Sequence, residues 1–161
     1  MDRRDVLRSG ALAAFATPAL AMPAVAQPMP QVTWRLTSSF PKSLDTIFGT
    51  VQLFAKAMGE ATEGRFQIQT FAPGEIVPGL QALDAVTSGA VEAAQTPLYF
   101  YAGKDPTLAI GTGLTFGLNA RQQHAWWFFN GGAELISQAM AKQNAIAIPM
   151  GNSGTQMGGW F

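Results

Sequence analysis

Val32-Thr33-Trp34-Arg35-Leu36-Thr37-Ser38 and Phe66-Gln67-Ile68-Gln69-Thr70-Phe71 both alternate apolar and polar residues. A period of two is the mark of a strand with one face against a core. Between them Leu44, Ile47, Phe48, Val51, Phe54, Ala55 and Met58 recur at helical spacing, and Glu60 to Gly64 closes the run. Gly64 is the residue available for a left-handed cap. Pro73-Gly74 and Pro78-Gly79 punctuate the next loop, and Leu80, Leu83 and Val86 mark a short helix ending near Gly89. Val91 to Thr96 reads as a third strand. Strands separated by helices predict βαβ units around a mainly parallel sheet, so the fold class is α/β.

Further along, Tyr99-Phe100-Tyr101 precedes a turn at Gly103-Lys104-Asp105-Pro106. Asn119 can cap a helix holding Trp126 to Phe129, which Gly131-Gly132 interrupts. Leu135, Ile136, Ala139 and Met140 form a second helical face, and Ala145 to Pro149 reads as an apolar strand. Gly151 to Phe161 reads as a tight turn into a further strand.

The first 26 residues have a different character. Arg3, Arg4 and Arg8 precede an apolar run from Gly10 to Ala21, and Ala24-Val25-Ala26 supplies a small-x-small cleavage pattern. That is an export signal, too short for a membrane span of about 20 apolar residues. Arg3-Arg4-Asp5-Val6-Leu7-Arg8 resembles the twin-arginine form apart from Asp2 and Val6, and both export routes stay open. The expected compartment is the periplasm.

Ten basic and ten acidic residues give a formal net charge of zero over 161 residues. Without a basic excess there is nothing to neutralise a phosphate backbone, which argues against nucleic-acid binding. Charged residues are 12% of the chain, about half the usual ~25%. The 48% hydrophobic content suffices for a buried core. The chain has no Cys, which excludes disulfides and thiolate chemistry, and one His, which leaves no imidazole-based metal site.

His124 has no Ser or carboxylate beside it in a triad pattern and reads as a surface or satisfied side chain. Glu75, in the Pro73-Gly74 loop, reads as a solvated carboxylate. The glycines from Gly151 to Gly159 do not match phosphate-loop spacing, yet their turn can expose the Asn152 and Gln156 amides at a cleft. Amide and carbonyl oxygens suit a hard cation. The aromatic clusters Tyr99 to Tyr101 and Trp126 to Phe129 read mainly as core, with tyrosine hydroxyls able to orient a small polar ligand. The residues alone thus describe an exported α/β ligand-binding domain with no visible catalytic group.

Trp34-Arg35-Leu36 with Ser38 to Asp45, Ala72 to Gln81, Gly103 to Pro106, and Gly151 to Phe161 together resemble one family. It is that of the solute-binding proteins of tripartite ATP-independent periplasmic (TRAP) transporters, in the branch that takes 2-oxo acids such as pyruvate. The resemblance implies a two-lobed α/β clamshell gripping a small carboxylate, with a bound sodium or calcium ion and a membrane permease of two subunits. Carried over by motif, Gln156 becomes a metal and solute ligand, Asn152 a solute contact, and Tyr101 or Tyr99 the aromatic hydroxyl. Ala102 stands where that branch tends to carry an aromatic. The family's carboxylate-clamping Arg and acidic cation ligands would lie beyond Phe161. The expected organisation is therefore a signal over 1–26, a first lobe over 27–150 and a crossover into a second lobe over 151–161, a piece that binds solute poorly by itself. A homodimer stays open. Two alternatives stand beside the receptor: a secreted α/β enzyme dependent on His124 or Glu75, and a non-catalytic partner-docking domain using its exposed aromatics.

Overall fold

The computed structural model describes residues 30–154. The signal segment 1–26 and Gln156 lie outside the described residues. Strand β1 (Val32–Ser38) is followed by helix α1 (Asp45–Ala61) and strand β2 (Phe66–Phe71). A single 3-10 turn (Gly79–Gln81) then leads into helix α2 (Ala82–Thr87) and strand β3 (Ala93–Gln95). Two more 3-10 segments, Leu98–Tyr101 and Pro106–Gly111, precede helices α3 (Ala120–Phe129) and α4 (Gly132–Ala141).

The three strands form a parallel sheet in the order β2-β1-β3, as the βαβ alternation predicts. β1 pairs with β2 from Val32↔Phe66 to Thr37↔Phe71, and with β3 from Leu36↔Ala93 to Ser38↔Gln95. Because β3 flanks only the last three residues of β1, burial in β1 runs by halves rather than by alternation. Leu36, Thr37 and Ser38 are buried while Val32 to Arg35 are exposed. Trp34 there packs its ring edge-on to Phe66 with centroids 4.9 Å apart.

α1 lays Phe48 and Val51 against Leu36, forming one buried cluster. Removing an aromatic or branched side chain of this size from water contributes about 1.5–3 kcal/mol each. The apolar stripe is narrower than its spacing predicts, since Leu44 and Phe54 are exposed. The helix ends in a Schellman turn: Glu63 donates N–H to the Glu60 carbonyl and Gly64 donates to Gly59. Glu63 itself takes the left-handed C′ position at φ 52°, one residue before the predicted Gly64, which follows at φ 76°.

A second, larger cluster gathers Leu83, Leu98, Tyr101, Leu108, Trp127, Ile136, Ala139 and Met140. Leu108 sits at its centre on the 3-10 segment Pro106–Gly111, which has no periodic signature in sequence. Asp105 caps that segment by accepting the Thr107 N–H at 2.9 Å. Asn119 caps α3 in a reciprocal capping box with Gln122, as its residue type predicts. Of the aromatics on α3, Trp127 is buried, but Phe129 is 89% exposed and Phe128 also faces outward, so the reading of this run as core holds only for the tryptophan side. Leu80 and Leu135, expected on buried faces, are exposed as well.

Ala145 to Pro149 is not a strand. The segment is extended and alternates in burial: Ala145 and Ala147 pack on the second cluster, while Ile146 and Ile148 are 85% and 78% exposed. No strand among the described residues pairs with it, and an apolar alternating run becomes a strand only when a neighbour supplies the ladder. No helix among the described residues is long and apolar enough to cross a membrane.

Candidate functional site

Open parallel sheets bind ligands at the carboxyl ends of their strands, where the strand-to-helix loops converge. In this chain those ends are Ser38-Ser39, Phe71-Ala72 and Gln95-Thr96, and the first and third carry polar side chains tied to one another. On the face toward α1, the Phe40 N–H donates to Ser38 Oγ at 3.0 Å, and Ser38 Oγ donates to Gln95 Oε1 at 2.7 Å. The Gln95 amide donates in turn to the Ile47 carbonyl at 2.8 Å. On the opposite face Ser39 Oγ lies 2.6 Å from the Gly79 carbonyl and 2.7 Å from Thr96 Oγ1. Thr96 Oγ1 is 2.9 Å from the Tyr101 hydroxyl, which accepts the Leu83 N–H at 3.1 Å. Gly79 fits closely at this junction: a Cβ there would stand 3.1 Å from the Ser39 carbonyl oxygen and 3.3 Å from Pro73, so a larger residue would push these neighbours by a few tenths of an ångström.

Glu75 is paired rather than merely solvated, contrary to its reading from sequence. Lys42 Nζ reaches its Oε1 at 2.5 Å and the Ala72 N–H donates to its Oε2 at 2.8 Å. The Lys42 hydrogen bond, then the Ala72 N–H, hold its carboxyl below the ordinary value. Glu75 thus joins the loops after β1 and β2. An ionised carboxylate so occupied is unsuited to general-acid work.

The residues predicted from sequence fall in different settings. Tyr101 is buried at 3% exposure with its hydroxyl inside the hydrogen-bonded chain, whereas Tyr99 is 42% exposed and packs edge-on to Phe100. Asn152 is exposed, and its Oδ1 accepts the Gly154 N–H at 2.7 Å, an Asx turn that uses only the acceptor side of the amide. His124 is exposed on α3 with its ring 6.1 Å from that of Phe128. Among the described residues no three His, Cys, Asp or Glu side chains gather as a metal site. An apolar depression of about 470 Å³ lies instead on α3, lined by Leu118, Gln122, Ala125, Trp126, Phe129 and Asn130. None of the predicted solute contacts lines it.

Ser39, Gln95 and Thr96 were not singled out in the sequence. The available signal was small polar residues closing apolar strands just ahead of proline-containing loops, in Ser38-Ser39-Phe40-Pro41 and Gln95-Thr96-Pro97.

The profile of the DctP family, bacterial extracellular solute-binding protein family 7, matches residues 37–160. The chain belongs to this family. A curated relative, the monocarboxylate 2-oxoacid-binding periplasmic protein of Nostoc sp., is 47% identical over the whole of this chain and 45% of its own length. A TRAP transporter solute-binding protein of Bordetella bronchiseptica, a mixed-occupancy dimer with copurified calcium and picolinate, is 45% identical with a TM-score of 0.79. That match covers 82% of this chain and 39% of the Bordetella chain. The TRAP periplasmic solute-binding protein of Pseudoalteromonas atlantica, with bound sodium and pyruvate, is 32% identical with a TM-score of 0.77, covering 81% of this chain and 40% of its own. This DctP chain therefore shares its α/β fold with solute-binding proteins over the matched part, and spans less than half the length of these relatives.

Proposed function

We propose that the protein is the periplasmic receptor of a TRAP transporter, capturing a small 2-oxo acid such as pyruvate with a bound sodium or calcium ion for delivery to the membrane permease. The observation that carries this reading is the 45% identity, across 82% of the chain, to a protein holding calcium and picolinate. Picolinate and pyruvate share a carboxylate with a second donor atom on the adjacent carbon, a geometry that chelates a hard cation. In this reading residues 27–150 form the first lobe of the clamshell and 151–161 lead into the second. Gln156 supplies an amide oxygen to the cation and touches the solute. Asn152 offers its amide donors to the carboxylate or keto oxygen, and Tyr99, the exposed tyrosine, is favoured over Tyr101 as the hydroxyl that meets the solute.

The protein is not an enzyme in this account. Both Glu75 carboxylate oxygens are already occupied, by Lys42 and the Ala72 N–H, which hold its carboxyl below the ordinary value and make it a weak base. Among the described residues His124 makes no hydrogen bond or ion pair that would orient it as one. Tryptophan fluorescence of the exported protein tests the receptor reading. Pyruvate with calcium should change the emission, a chelator should abolish the change, and Asn152→Ala should weaken it. An emission insensitive to every short 2-oxo acid, with either cation present, contradicts the proposal.

A further inference from the structure

The four hydrogen bonds running from α2 to the loop after β2 admit only one direction. The Leu83 N–H can only donate and the Gly79 carbonyl can only accept, with three hydroxyls between them, each holding one proton. Ser39 must give its proton to Gly79, so Thr96 donates to Ser39 and Tyr101 donates to Thr96. Every hydroxyl donates once and accepts once. Chains of this kind are polarised end to end, and losing one member weakens the others.

The chain also does something local. The Ala82 N–H, first in α2, donates to the Gly79 carbonyl of the preceding 3-10 turn, but Gln81 makes no side-chain cap for the N–H groups that follow. The Tyr101 phenol, from a segment 18 residues away, supplies the missing acceptor to Leu83. One end of the relay therefore fixes the start of α2, and the other fixes the loop that begins it. Between them it pins the residues just after β1 and β3. These are the strand ends where a parallel sheet takes its ligand.

We infer that Ser39, Thr96 and Tyr101 are positioning residues for solute binding: a directional hydroxyl relay that holds the three strand-end loops in their binding arrangement, with Tyr101 acting through Thr96 rather than on the solute. The inference rests on the receptor reading above. A direct contact and a relay make different predictions for paired substitutions. With a relay, Thr96→Val and Tyr101→Phe each lower pyruvate affinity by a similar factor, about tenfold. The double variant is then no worse than either single one, and Thr96→Ser, which keeps the hydroxyl, restores the original affinity.

The experiment is calorimetric titration of the complete exported protein and these variants with pyruvate and calcium, well below their unfolding temperatures. Equal, non-multiplying losses with rescue by Thr96→Ser are expected. Losses that multiply in the double variant, or a Thr96→Val protein with unchanged affinity, would overturn the relay while leaving the receptor intact. Failure of the unaltered protein to bind would remove the receptor reading, and the proposal with it.

Discussion

Thr37 and Gly132 show how single positions in this chain are decided by space and hydrogen bonding rather than by propensity. Thr37 Oγ1 is fully buried on β1 and has no hydrogen-bond partner among the described residues. A buried hydroxyl left unsatisfied costs about 1–3 kcal/mol, and valine has nearly the same shape. Thr37→Val is therefore expected to stabilise the protein by about 1 kcal/mol in urea unfolding; a loss of stability would mean that the hydroxyl is partnered. At Gly132 two arguments oppose each other. Helix propensity favours Ala over Gly by about 1 kcal/mol. Yet a Cβ there would lie 2.7 Å from the Trp126 ring and 2.8 Å from the Trp127 Cα, so the backbone or the indole must move. Overpacking of this kind costs about 1–3 kcal/mol, and Gly132→Ala should lower the urea midpoint. A raised midpoint would show that Trp126 can swing aside freely. Thr37 carried no signal in the sequence and Gly132 was legible only as a helix interruption, because their roles arise from contacts that no local pattern encodes.

Among the strands, β3 is the shortest, and a side-chain tie to β1 stands directly beside it. Arg35 on β1 clamps Glu92, just before β3, through its backbone N–H at 2.7 Å, Nε at 3.2 Å and Nη2 at 2.9 Å. The Arg35 side-chain hydrogen bond, then its backbone N–H, hold the Glu92 carboxyl at about 2, against an ordinary 4.5. A folded-state value below the unfolded one means the unfolded chain binds more protons between those limits, so stability rises with pH there. The contribution is fully present above about 4.5 and is lost as pH falls toward about 2. Unfolding midpoints measured across this range should flatten in Glu92→Gln, whereas an unchanged slope would show that the pair does not hold in solution. Elements with strong periodicity, β1, β2, α1 and α4, were legible at their predicted places, and α3 was legible from its Asn119 cap. Ala145 to Pro149 was misread because alternation is necessary for a strand but a paired neighbour is what makes one. The 3-10 segments around Leu98 and Leu108 were missed because four and six residues are too few to carry a usable period.

At the scale of the molecule, a three-stranded parallel sheet presents hydroxyl and amide groups along its carboxyl edge, and of the described residues expected from resemblance to meet the solute, Tyr101 is the one hydrogen-bonded to that edge. The α/β class followed from the order of strands and helices. The candidate site was only partly legible: Tyr99 and Asn152 are exposed, Tyr101 is committed within the fold, and Gln156 lies outside the described residues. Polar relays between strand ends leave no trace in a sequence until register and pairing bring Ser39, Thr96 and Tyr101 together. The central claim is that the complete protein is a cation-assisted receptor for a short 2-oxo acid. It is tested most directly by calorimetric titration of the exported protein with pyruvate, with calcium present and then chelated. The account predicts saturable one-site binding that weakens at least tenfold on chelation, since the cation is a ligand of the bound acid. Pyruvate binding of equal affinity with and without calcium or sodium, or no binding in any of these conditions, would contradict it.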